Sequence, residues 1–90
     1  MANFFENLEH DAATELELLS KLIYELRENH RAVLQPYGAA DEAALLQQIQ
    51  DGTVAEHPAY EHYLAARILA GTRETVRTVV AERLNEANRK

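Results

Sequence analysis

The sequence predicts an all-α protein. Two long helices, at about residues 4–35 and 58–87, form an antiparallel hairpin, with a short helix at about 41–50 in the bend. Three observations carry this expectation. Ala, Leu and Glu are abundant and β-branched residues are scarce outside the C-terminal third, a composition that favours helix. Both prolines (Pro36, Pro58) and two of the three glycines (Gly38, Gly52) fall within residues 36–60, so the strongest breakers sit in one stretch. On either side of it, apolar residues recur at helical spacing.

Asn3 is placed to cap the first helix, and Glu6 three residues later completes an Asn-x-x-Glu capping box. Ala12, Leu16, Leu19, Ile23, Leu26, His30 and Val33 follow at spacings of 4, 3, 4, 3, 4, 3, a heptad seam. Phe5 and Leu8 extend it towards the N-terminus. Leu18, Leu22 and Leu34 widen it, which predicts contact with more than one neighbouring helix. Pro36 ends the helix, because the residue before a proline is pushed out of the α region. In the bend, Asp41 caps a short helix with an apolar face of Leu45, Leu46 and Ile49, and Asp51-Gly52 closes it. Val54 is expected to tuck inward. Pro58 suits the first position of the last helix, where its missing N–H costs nothing. The apolar set there is Tyr60, Tyr63, Leu64, Ile68, Leu69, Thr72, Val76, Val79, Val80 and Leu84, with Gly71 inside it.

Near-equal helix lengths predict that residues whose numbers sum to about 92–94 lie opposite each other. That sets Leu26 near Ile68, Leu19 near Thr75 or Val76, and Phe5 near Ala87. A hairpin of 90 residues is one domain, residues 1–90, and buries a thin seam. Without cysteine, neither a disulfide nor a cysteine-based zinc site can staple it. The expected remedy is a homodimer, two hairpins forming a four-helix bundle, or a stable complex with another protein.

Composition narrows the function. No run of 18 apolar residues is present, so no membrane span or membrane partner is expected. The stretch from Met1 to Glu6 has neither a basic region nor an apolar run, so a soluble cytoplasmic protein is the expectation. A net charge of −6 opposes nonspecific contact with nucleic acid. The charge is uneven: residues 1–31 hold seven acidic side chains against three basic ones, and residues 73–90 hold five basic against three acidic. That split suits antiparallel pairing or a basic partner.

Catalysis has little support. Nucleophile motifs, a glycine-rich phosphate loop, His-Glu-x-x-His and Glu-x-x-His are all missing, so the expectation is no enzyme and no cofactor. Antiparallel pairing would gather His30, His57, Glu61 and His62, with Tyr60 and Tyr63, at the bend end. Imidazoles beside a carboxylate suit zinc or a pH-sensitive cluster. The plainer reading makes His30 a hydrogen-bonded seam residue and leaves His57 and His62 on the surface. A helix–turn–helix reading of residues 42–69 fails, because aligning Gly52 as the turn glycine puts Pro58 inside the recognition helix. A small helical enzyme would need Arg67 and Arg73, with Glu25 or Glu28, to line an interhelical cavity.

Within residues 37–64, the pattern Tyr37-Gly38-x-x-Asp41-Glu42-x-x-Leu45-Leu46-x-x-Ile49-x-x-Gly52-x-Val54-x-Glu56-His57-Pro58-x-Tyr60-Glu61-x-Tyr63-Leu64 resembles one in small, mostly uncharacterised helical proteins of bacteria. Some of those resemble components of toxin–antitoxin operons. The resemblance implies a bacterial protein-binding component rather than an enzyme, and carries no site residues with it. The reading that follows is a non-enzymatic interaction or regulatory module, with an antitoxin-like role as its narrower form. Its partner-binding residues would be His57, Tyr60, Glu61 and Tyr63, at the bend end. The alternative is a metal- or small-ligand-binding bundle built on the histidines.

Overall fold

A computed structural model of the chain describes the backbone of residues 2–88 and the side chains of residues 12–88. It contains α1 (Ala2–Leu34), a 3-10 turn (Gln35–Tyr37), α2 (Glu42–Gln50) and α3 (Glu56–Asn88), with no strand among the described residues. The expected hairpin with a short helix at its bend is therefore the fold. α1 begins at Ala2, so Asn3 lies inside the helix rather than capping it. The Asn3, Glu6, Phe5 and Leu8 side chains fall outside the described residues.

The bend is held by local chemistry that follows from its residues. Pro36 has no N–H to donate, and the chain tightens from α-helix into the 3-10 turn around it. Gly38 adopts a left-handed φ of 62° and donates its N–H to Gln35 O at 3.0 Å. Asp41 is the expected cap, its Oδ1 accepting the Ala44 N–H at 2.8 Å. At the other end of α2, Gly52 has φ 75° and its N–H donates to Ile49 O, while the Thr53 N–H reaches Gln48 O. Those two bonds form a Schellman closure, which a left-handed glycine allows. His57 is extended (φ −112°, ψ 123°) ahead of a cis peptide to Pro58, and the regular part of α3 runs from Pro58.

The best-buried part of the molecule lies at this bend. Leu34 and Leu45 are 2% and 0% exposed, and they form one cluster with Ala59 and Ala66. Val33, Tyr37, Ala39, Ile49, Val54 and Tyr63 pack around it, so Val54 does turn inward. Farther along the hairpin, only Leu26 and Val76 are buried among the described residues. The molecule measures 65 × 19 × 16 Å. Its radius of gyration is 18.5 Å, against about 12 Å for a spherical domain of this length.

The seam of α1 is the one its spacing predicts, from Leu16 through Val33, except that Ala12 is exposed. The seam of α3 is the predicted one only in part: Tyr63, Leu69, Val76, Val79 and Val80 face inward as expected, and Tyr60, Leu64, Ile68, Thr72 and Leu84 do not. Its inward positions are Ala59, His62, Ala66, Leu69, Arg73, Val76 and Val80, a regular three-four alternation built mostly of small and polar residues. Tyr60, Leu64 and Ile68 point outward, at 45%, 37% and 68% exposure. The predicted apolar set merged these two faces. The register differs as well: Glu15 Oε1 pairs with Arg83 at 3.1 Å and Tyr37 with His62. These pairs join residues whose numbers sum to 98 and 99, about one helical turn beyond the expected 92–94. Ile68 therefore does not meet Leu26.

Leu45→Ala should lower unfolding free energy by about 2–5 kcal/mol, since it opens a cavity in the bend core. Ala66→Leu should cost about 1–3 kcal/mol by overfilling the seam. Urea unfolding followed by circular dichroism checks both. Neutral effects would mean the helices meet on another face.

Candidate functional site

The four histidine-centred residues do not assemble into one cluster. His30 Nε2 donates to Glu42 Oε2 at 2.6 Å, tying α1 to α2, and its side chain is only 12% exposed. His62 Nδ1 and the Tyr37 hydroxyl share a hydrogen bond, tying α3 to the 3-10 turn. The two rings are 5.5 Å apart. His57 faces solvent at 82% exposure and meets Glu61, itself 60% exposed, one turn along the same helix at 3.0 Å. Among the described residues, no three His, Cys, Asp or Glu side chains converge as metal ligands would. The gathering expected for a zinc site is thus replaced by three separate pairs. The shift in register is the reason: it gives His62 to Tyr37 and leaves His30 facing α2.

The partner-binding candidates divide in the same way. Tyr60 is 45% exposed, and with His57 and Glu61 it is available at the surface. Tyr63 packs against the bend core, with its ring 5.9 Å from that of Tyr60. From Tyr60 an outward row continues along α3 through Leu64, Ile68, Gly71, Thr75 and Thr78. A Cβ placed on Gly71 would meet nothing within 4 Å, so this glycine does not serve close approach within the chain. The Thr75 and Thr78 hydroxyls donate back to Gly71 O and Glu74 O, each at 3.1 Å. Their polar capacity is used inside the helix.

A second feature was foreseen only in part. An open cleft of about 600 Å³ lies where α1, the bend and α3 meet, and Arg27, His30, Arg31, Asp41, Glu42 and Arg73 line it. Arg73 comes from the α3 seam and is half-buried. Its Nε is enclosed without a hydrogen-bond partner. Arg67, considered alongside it from the sequence, is exposed instead. Arg27 and Arg31 lie four residues apart on one side of α1, a spacing visible in the sequence. Arg73 is thus the one of the two arginines considered on α3 that lines a cleft, and its neighbours there are Arg27 and Arg31 rather than Glu25 or Glu28.

The outward ridge and the arginine cleft both sit on a small all-helical hairpin, the class of protein this fold defines. Among the described residues, no helix is long and apolar enough to cross a membrane. The chain belongs to the uncharacterized protein MJ0235 family, whose model matches residues 6–88. No curated protein and no solved structure matches the chain.

Of the paired histidines, the His30–Glu42 contact should matter most to stability. Glu42→Ala leaves a nearly enclosed imidazole without its acceptor and should cost about 1–3 kcal/mol. His57→Ala and Glu61→Ala should each stay within about 0.5 kcal/mol of wild type. Chemical denaturation of the three variants makes the comparison, and an equal loss in all three would contradict it.

Proposed function

We propose that this protein is a non-enzymatic helical interaction module that binds a partner helix along the outer face of α3. The observation that carries the reading is the direction of the large apolar side chains. α3 turns alanines inward and leaves Tyr60, Leu64 and Ile68 to solvent in one row. A single exposed leucine is ordinary on a protein surface. Three large side chains at consecutive i, i+4 positions, followed by Gly71 and two back-bonded threonines, make a ridge that another helix can pack on.

The exposed area supports the same reading. The chain presents 6805 Å² to solvent, against about 5300 Å² for a folded monomer of this mass. The excess is larger than the roughly 800 Å² that each partner contributes to a standard interface. A second copy of the chain is the occupant best matched by charge. Two α3 helices crossing antiparallel at Gly71 would set Arg67 of one copy opposite Glu74 of the other, and the reverse by symmetry. His57 and Glu61 would sit at the rim of such an interface.

A narrower form of this proposal is an antitoxin-like role, in which the acidic side chains of α1 mask a basic partner. It rests on the charge split and on the resemblance of residues 37–64, and the comparisons add nothing to it. A bacterial, cytoplasmic setting belongs to the same proposal.

Sedimentation velocity across about 1–100 µM, the range in which modest helical interfaces form, tests the face. Wild type should move towards dimer as concentration rises. A Leu64→Lys, Ile68→Lys double variant should remain monomeric with helicity unchanged by circular dichroism. A double variant that dimerises like wild type would place the interface elsewhere. A wild type that stays monomeric throughout would remove the second copy as the occupant.

A further inference from the structure

The cleft between α1, the bend and α3 has a charge balance unlike the rest of the chain. The protein as a whole carries −6, yet three guanidinium groups, those of Arg27, Arg31 and Arg73, line this one concavity. Two carboxylates, Asp41 and Glu42, share its wall and offset part of that charge, leaving the guanidinium groups one in excess. Asp41 Oδ1 accepts the Ala44 N–H at the start of α2, and Glu42 Oε2 accepts from His30. Neither forms an ion pair with an arginine among the described residues. Arg31 has only Glu28, at 3.9 Å on its own helix, with both side chains open to solvent. Arg27 lies 6.0 Å from the Tyr24 ring centre and forms no ion pair among the described residues.

Arg73 is the distinctive member. It occupies an inward position of α3, between Leu69 and Val76. A cation there is disfavoured unless its donors are satisfied. Its Nε is enclosed and lacks an acceptor, although other arginines of α3 pair readily with carboxylates at the surface, Arg77 with Glu74 and Arg83 with Glu15.

We propose that this cleft binds an oxyanion carrying two or more negative charges, of the phosphate or phosphate-monoester class, held by Arg27, Arg31 and Arg73. One guanidinium satisfies a carboxylate through a bidentate pair. Arginines arriving from two different helices suit a tetrahedral group that accepts on several sides. The volume of about 600 Å³ leaves room for more than the anion alone, so both free phosphate and a phosphoryl group carried on a small molecule fit it. The site is separate from the outer face of α3 and does not depend on the interaction proposed there.

The test is a thermal-melt titration of the full chain with inorganic phosphate and, separately, with glycerol 3-phosphate. Sodium chloride at matched ionic strength is the reference. Binding to the folded state raises Tm with the logarithm of ligand concentration above Kd, so both phosphates should raise Tm beyond chloride. Tighter binding of glycerol 3-phosphate would assign a carried phosphoryl group, and equal or weaker binding would assign the free ion. Calorimetry should show affinity falling about tenfold or more in Arg73→Gln. Arg27→Gln, at an exposed position, should weaken binding as well and guards against a folding defect in the seam variant. Arg77→Gln, outside the cleft, should bind as wild type does. Equal stabilisation by chloride, no response to either phosphate, or full affinity retained in Arg27→Gln and Arg73→Gln would each overturn the proposal.

Discussion

The structure depends on the contact of Leu34 and Leu45 with Ala59 and Ala66. Each of these leucines is almost wholly removed from solvent, and burial of that kind stabilises by about 1.5–3 kcal/mol per side chain. Few other positions along the hairpin reach comparable burial. An alanine seam on α3 leaves the space that leucines from α1 and α2 fill. The three helices are thereby pinned at one end, and the rest of the hairpin extends from that end with only Leu26 and Val76 buried among the described residues. The exposed Glu15–Arg83 pair farther along adds little, as surface ion pairs do.

Putting the alanines inside has a consequence for the surface. α3 holds enough large apolar residues to build a conventional seam, but Tyr60, Leu64 and Ile68 lie on the other side of the helix. α1 and α2 both pack on the inner face of α3, and the outer row of Tyr60, Leu64 and Ile68 stays open to solvent, so a further neighbour has a face to meet. The same seam carries His62 and Arg73 inward. His62 is satisfied by Tyr37, whereas Arg73 opens into the cleft with its Nε unpaired. One choice of packing face thus produces both the ridge proposed for a partner and the cleft proposed for an anion.

Most of the architecture was legible in the residues. Pro36, Gly38, Asp41, Gly52 and Pro58 each act as their chemistry dictates, because turns and caps are decided by neighbours in sequence. The α1 seam was legible because its leucines keep a strict heptad. The α3 seam was legible only in part, because hydrophobic periodicity weighs side chains by size, and on α3 several large ones face away from the hairpin. The register, set from helix lengths alone, was off by about a turn, and that displacement separates His30 from His62. Of the residues singled out at the bend, His57, Tyr60 and Glu61 are on the surface and Tyr63 belongs to the core. Arg73 was legible as a cavity-lining candidate, but Arg27 and Arg31 as its neighbours were not.

The orientation of α3 is therefore the central claim, and methyl NOE spectroscopy on the isotopically labelled protein tests it most directly. The Ala66 methyl should show strong intramolecular NOEs to the methyls of Leu34 or Leu45. The Ile68 methyls should show none to α1 of the same chain, with isotope-filtered mixing to separate contacts between copies. Intramolecular NOEs from Ile68 to Leu26, with Ala66 silent, would contradict the account.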